Sequence, residues 1–180
     1  MQRYGAGDLA AFDALYARHE LGVWRYLLRS VRRQEAADDL TQDVWFAVVR
    51  QAGRFVPAAR FKTWLFTIAH NRLVDYFRSA KNHASLDAEP ADADTALIDT
   101  LAADSGFGPV RQLESREQAM ALIAAVEALP HEQRQAFLLQ AEGGMSVDEI
   151  AGATGASFET TKSRLRYARS ALRQLLKEFA

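Results

Sequence analysis

The chain of 180 residues contains no cysteine. That absence removes disulfide scaffolds, thiolate metal centres and cysteine nucleophiles from consideration, and it fits a reducing cytoplasm. Proline is scarce, at four residues. No apolar run approaches the roughly 20 residues that a bilayer-spanning helix needs, and the N-terminus carries no signal-peptide pattern. Sustained apolar–polar alternation between turn residues is also missing, so strands are not indicated. There is no Gly-rich phosphate loop, nucleophile elbow or zinc-protease motif. The four histidines, His19, His70, His83 and His131, fall at no metal-ligand spacing. These absences argue against an enzyme, a metal centre or a bound cofactor.

What is present is helical and segregated in charge. Hydrophobic residues make up 49% of the chain, enough for a packed core, and the formal net charge of −1 conceals strong local imbalance. Between 82 and 110 there are six acidic residues (Asp87, Glu89, Asp92, Asp94, Asp99, Asp104) and no Lys or Arg, among small residues, two prolines and two glycines. Such a composition buries too little apolar surface to offset the entropy of ordering. It predicts a flexible acidic linker over 82–112, between two small all-α domains at 1–81 and 113–180.

The first domain opens with "DLAAFDALYARHELGVWRYLLRSV", in which Leu9, Phe12, Leu15, Tyr16, Val23 and Leu27 form an apolar stripe. A second helix follows in "QEAADDLTQDVWFAVVRQA". The stretch "FKTWLFTIAHNRLVDYFRSAK", 61–81, has no proline or glycine and reads as one long helix. Leu65, Ile68, Ala69, Leu73, Tyr76 and Phe77 recur at helical spacing and predict a buried face. The other face holds Thr63, Thr67, Asn71, Asp75 and Arg78, with Lys62, Arg72 and Lys81 nearby. Trp64 and Phe66 sit on the flanks, where a large ring serves either as core or as a contact surface.

The C-terminal half carries clearer punctuation. In "LPHEQRQAFLLQAEGG" a proline stands near a helix start and a glycine pair follows its end. "SVDE" at 146–149 is a capping box, opening a short helix that buries Val147, Ile150 and Ala151 and stops at "ATGAS". Ser157 can cap the next helix, "FETTKSRLRYARSALRQLLKEF". Two helices joined by a tight Gly-containing turn are a helix-turn-helix, whose second helix enters the DNA major groove. On that helix Phe158, Thr161, Leu165, Ala168, Leu172 and Leu175 predict the buried stripe. Lys162, Arg166, Arg169 and Arg173 share another face, with Ser163 and Tyr167 beside them. Residues 156–180 hold six Lys/Arg against two Glu, a local surplus of about four positive charges.

Taken in order, "AGDLAAFDALYARH", "DDLTQDVWFAVVR", "FKTWLFTIAHNRLVDYFR", "LPHEQRQAFLL" and "SVDEIAGATGASFETTKSRLRYARSAL" resemble a bacterial RNA polymerase sigma factor of the sigma-70 family. The likeness is to its short extracytoplasmic-function (ECF) group and covers both domains. Any one motif is weak evidence; five in the family's order are specific. The resemblance implies a cytoplasmic protein, without membrane insertion, that binds core RNA polymerase, recognises two promoter elements and opens the DNA. It also implies an anti-sigma protein as regulator.

Residue by residue, "DDLTQDVWFAVVR" matches the family's core-binding helix, which docks on a coiled coil of the β′ subunit. Asp39, Gln42, Asp43 and Phe46 would present the ridge, while Val44, Ala47 and Val48 pack inward. Phe61, Lys62, Trp64, Asn71, Arg72, Asp75 and Arg78, with the loop "GRFVPAAR", match the part that meets the melted −10 strand. Unstacking a base requires π-surfaces to stack it and polar groups for its exposed edge. Asn71 sits where the family places a residue reading the flipped base. Lys162, Ser163, Arg166, Tyr167 and Arg169 match the positions that read the duplex −35 element, and the C-terminal domain would also meet the β flap. One departure stands out: many relatives carry Gly-Thr-Val before the basic run, where this chain has Glu159-Thr160-Thr161. Two rivals stay open at this point. One is a stand-alone helix-turn-helix regulator with an N-terminal sensor. The other is a helical protein that sequesters a sigma factor.

Overall fold

In the structure, a computed structural model that describes residues 1–56, 60–82 and 116–177 (backbone only at Lys81, Asn82 and Arg116), every regular element is helical. The chain divides into two compact units, Met1–Pro90 and Ala91–Ala180. Apart from Asn82, the acidic stretch expected as a linker over 82–112 lies outside the described residues, as do His83 and loop residues 57–59.

The first unit contains α1 (Gln2–Gly5), α2 (Leu9–Val31), α3 (Gln34–Arg50), a 3-10 turn (Ala52–Arg54) and α4 (Phe61–Asn82). Asp8 starts α2 by accepting from the Ala11 amide at 3.2 Å, which satisfies one of the unpaired N–H groups of the first turn. Arg32, left-handed at φ 59°, ends it, and so short a connection brings α3 back against α2. Helices α2, α3 and α4 pack on one another. Their core holds Val23, Tyr26 and Leu27 from α2, Val44 and Val48 from α3, and Leu65, Phe66, Ala69 and Leu73 from α4. Each large apolar side chain buried there contributes about 1.5–3 kcal/mol relative to exposure. Inside this core the Tyr26 hydroxyl meets His70 Nδ1 at 2.9 Å, giving two buried polar groups a mutual partner.

The second unit contains α5 (Arg116–Ala128), α6 (His131–Ala141), α7 (Val147–Thr154) and α8 (Phe158–Leu175). The capping box is formed in both directions: the Glu149 amide donates to Ser146 Oγ at 3.2 Å and the Ser146 amide to Glu149 Oε2 at 2.7 Å. Gly155, at φ 66°, makes the turn, and Ser157 caps α8 by accepting from the Thr160 amide at 3.1 Å. A Cβ on Gly155 would meet nothing within 4 Å, so glycine is required there by the left-handed backbone and not by crowding.

Several sequence expectations are corrected. Leu9, Phe158 and Leu175 were expected on buried stripes but are 72%, 42% and 51% exposed. Each lies at or near a helix end, where the stripe runs past the helices it packs on. Thr63, expected on the polar face of α4, is buried, because its direction on the helix falls beside that of buried His70. In α7 only Ile150 is fully buried, with Val147 and Ala151 half-covered. Helix α5 had no sequence assignment, yet Ala119, Leu122, Ala125 and Val126 recur at helical spacing and are all buried.

Candidate nucleic-acid and polymerase interfaces

The ridge on α3 follows from helical spacing. Leu40, Val44, Trp45, Ala47 and Val48 are buried at 6% exposure or less, which turns the opposite face of α3 to solvent. Asp39, Gln42, Asp43 and Phe46 are all exposed, with Phe46 at 51%, and neighbouring Val49 at 40% extends the apolar part. Two carboxylates thus stand beside an uncovered aromatic ring on one helix face. Sequence reading missed the rivet beneath it. Trp24 on α2 donates its indole N–H to Asp38 Oδ1 at 2.6 Å, which ties the first turns of α3 to α2.

Helix α4 is buried around most of its circumference. Leu65, Phe66, Ile68, Ala69, His70 and Leu73 are all covered, which leaves one narrow strip of Trp64, Thr67, Asn71, Val74, Asp75 and Arg78. Asn71, Asp75 and Arg78 are exposed; Trp64 is half-buried. The two roles open to the flanking rings therefore separate: Phe66 is core at 0% exposure, whereas Trp64 keeps part of its ring outside. That ring rests on Phe55 (centroids 5.2 Å apart) and Phe61 (5.9 Å), and His19 packs on Phe61 at 5.4 Å. Phe55 comes from the loop "GRFVPAAR" assigned with them, whereas His19, on α2, was not expected in this cluster. Arg78 donates to Asp75 Oδ1, an exposed pair one helical turn apart that is worth well under 1 kcal/mol. Lys62 does not join the strip. It is nine residues from Asn71, about two and a half turns, and so points the opposite way, with its ammonium 5.8 Å from the Phe66 centroid. Arg72 is half-buried at the strip's edge.

On α8, Thr161, Leu165, Ala168 and Leu172 are buried, and the opposite side carries exposed Lys162, Arg166, Arg169 and Arg173. Tyr167 is 53% exposed and Ser163 half-buried beside them. Arg166 donates to the Tyr167 hydroxyl at 3.1 Å and lies 4.9 Å from its ring centroid. Lys162 stands 4.0 Å from the Glu159 carboxylate and 5.9 Å from the Phe158 ring. All these contacts are solvated, so exchanging them for phosphate or base contacts costs little. Arg164 differs: it is largely covered and paired with Glu132 at 2.5 Å, which fastens α8 to the start of α6.

Fold and surface together define an all-α protein of the helix-turn-helix, DNA-binding transcription class. Family models for sigma-70 region 2 and sigma-70 region 4 match residues 15–83 and 119–172. RNA polymerase sigma factor CarQ of Myxococcus xanthus is 33% identical over 99% of this chain and 96% of its own length. ECF RNA polymerase sigma factor SigM of Mycobacterium tuberculosis is 33% identical over 95% of this chain and 80% of its own. The solved structure of Bartonella quintana sigma factor RpoE, in complex with the anti-sigma factor NepR, shares the fold. Its TM-score is 0.67 at 23% identity, covering 93% of this chain and 97% of that one. The chain belongs to the sigma-70 family of RNA polymerase sigma factors, in its ECF group. It is a transcription initiation factor, an alternative sigma factor that binds core polymerase, directs it to −35 and −10 promoter elements and promotes melting. The stand-alone regulator finds no support: the first unit, where a sensor would lie, matches sigma region 2. Among the described residues no helix is long and apolar enough to cross a membrane.

Proposed function

We propose a division of these tasks among three surfaces. The α3 ridge of Asp39, Gln42, Asp43 and Phe46 docks on the β′ coiled coil of core polymerase. The α4 strip captures the melted −10 strand: Trp64, backed by Phe55 and Phe61, offers a π-surface, Asn71 reads the edge of an unstacked base, and Arg78 leaves Asp75 for a phosphate. The basic face of α8 enters the major groove of the −35 element through Lys162, Ser163, Arg166, Tyr167 and Arg169, while the second unit also meets the β flap. The regulator that completes this reading is an anti-sigma protein, and the compartment is the cytoplasm.

One observation carries the proposal. Helix α4 aligns a half-open tryptophan, an exposed amide and an exposed arginine on one strip, beside a face buried in the core. Base–aromatic stacking is worth about 1–3 kcal/mol per base, comparable to the cost of unstacking one. Such a strip therefore stabilises the open complex and not the closed one. Asn71→Ala should impair permanganate reactivity at the −10 element of a duplex promoter in the holoenzyme. A promoter carrying a −10 mismatch bubble should restore that variant only in part, because its base contact is still missing. Wild-type melting by Asn71→Ala on duplex DNA would remove Asn71 from the site.

A further inference from the structure

Phe158 is the one apolar residue of α8's leading turn, and it stands where the buried stripe meets the basic face, past the helices that cover the rest of the stripe. It opens the helix directly after the Ser157 cap and is 42% exposed, while the four stripe residues that follow it are buried. Single exposed apolar residues are ordinary on protein surfaces, so exposure alone carries nothing. Position does. The ring stands at the head of the face that carries Lys162, Arg166 and Arg169, with the Lys162 ammonium 5.9 Å from its centroid. It therefore borders the cationic face that attracts a DNA backbone and keeps part of its ring outside the core.

The N-terminal residues of a recognition helix are the ones that reach base edges. In the major groove, base edges offer hydrogen-bonding groups and a single apolar feature, the thymine C5-methyl. A phenyl ring forms no conventional hydrogen bond, so the only base it distinguishes favourably is thymine. We propose that Phe158 is a specificity-determining residue of this sigma factor, packing against a thymine methyl in the −35 element. The proposal rests on the reading of α8 as the −35 helix and adds to it a base preference that the basic side chains do not supply. It requires at least one A·T pair within the part of the element under the start of α8.

The test uses holoenzyme reconstituted from the full chain and core polymerase, with an upstream element selected from randomised promoter DNA. Each thymine of that element, on either strand, is replaced singly by deoxyuridine, which removes the methyl and keeps the base pair. Wild type should lose about fourfold in affinity at one thymine, the value of about 0.8 kcal/mol for one buried methyl-sized group. Phe158→Ala should be insensitive at that same position, and Phe158→Leu, which keeps an apolar contact, should remain sensitive. A flat uridine scan in the wild type, or a Phe158→Ala protein as sensitive as wild type, would overturn the proposal. Arg166→Ala in parallel separates the two levels. If Arg166→Ala weakens −35 binding and the scan is flat, only the methyl contact is wrong; if Arg166→Ala binds normally, the placement of α8 fails as well.

Discussion

Thr161 sits in the buried stripe of α8 at 0% exposure, and its hydroxyl oxygen has no hydrogen-bond partner among the described residues. Burying an unsatisfied hydroxyl costs about 1–3 kcal/mol. Valine has nearly the same shape, the same branching at Cβ and a similar helix propensity, so Thr161→Val removes the cost without opening a cavity. It is also the residue that the family's usual Gly-Thr-Val carries at this point. Taking the lower bound, the variant gains about 1 kcal/mol, which for a unit of this size raises Tm by about 4–8 °C. The assay is built into the sequence. All three tryptophans, Trp24, Trp45 and Trp64, lie in the first unit, so tryptophan fluorescence follows that unit alone, whereas far-ultraviolet circular dichroism follows both. Thr161→Val should move the dichroism transition upward and leave the fluorescence transition in place. An unchanged or lowered dichroism midpoint would show that the hydroxyl is satisfied in solution, and the reasoning would fail.

The remaining expectations concern the surfaces and one titration. Asp39→Lys with Asp43→Lys reverses two exposed charges on the α3 ridge; it should abolish co-purification with core polymerase and leave the helical dichroism spectrum intact. Arg166→Ala should weaken −35 recognition, and a salt titration reads its role: a phosphate contact lowers the salt slope by about one, whereas a base contact relaxes specificity at one position. His19 is held below its usual range by burial and then by the charges of Lys62 and Arg18. The unfolded chain therefore takes up this proton first as pH falls. The associated stability is present above about pH 6.5 and is lost as pH drops below it, until His19 protonates in the fold as well. His19→Gln should flatten that part of the profile for the tryptophan-monitored transition; an unchanged slope would remove His19 as its source.

Much of this was legible because it is local. Caps such as Ser146 with Glu149, and Ser157 before Thr160, act within three residues, and the α4 and α8 stripes follow from helical periodicity alone. Three kinds of feature were not legible. Residues at helix ends, such as Leu9 and Phe158, obey the period but run past the packing partner, whose extent no periodicity encodes. Helix α5 carries half of its stripe as alanine, a weak apolar signal in the wake of an acidic stretch. Pairings across elements, such as Trp24 with Asp38 and Arg169 with Gln140, join residues 14 and 29 positions apart, and nothing in either segment names the partner.

That last pair makes the cations of α8 unequal. Lys162 and Arg166 are held by neighbours on their own helix, Glu159 and Tyr167, so they can turn to DNA by rotating side chains. Arg169 instead donates to Gln140 Oε1 on α6 at 2.6 Å. To reach a phosphate it must first give up that bond. The bond is exposed, so its loss costs no more than about 1 kcal/mol, a factor of about five in affinity. Gln140→Ala removes the competitor and leaves the guanidinium to the DNA. The holoenzyme should then bind its promoter up to about fivefold more tightly, with a salt slope that steepens if Arg169 meets a phosphate. Arg169→Ala combined with Gln140→Ala should bind no better than Arg169→Ala alone, since the gain passes through Arg169. A weakened Gln140→Ala protein would mean that Gln140 orients Arg169 for the DNA rather than withholding it. The α6–α8 contact would then be part of the binding surface and not a restraint upon it.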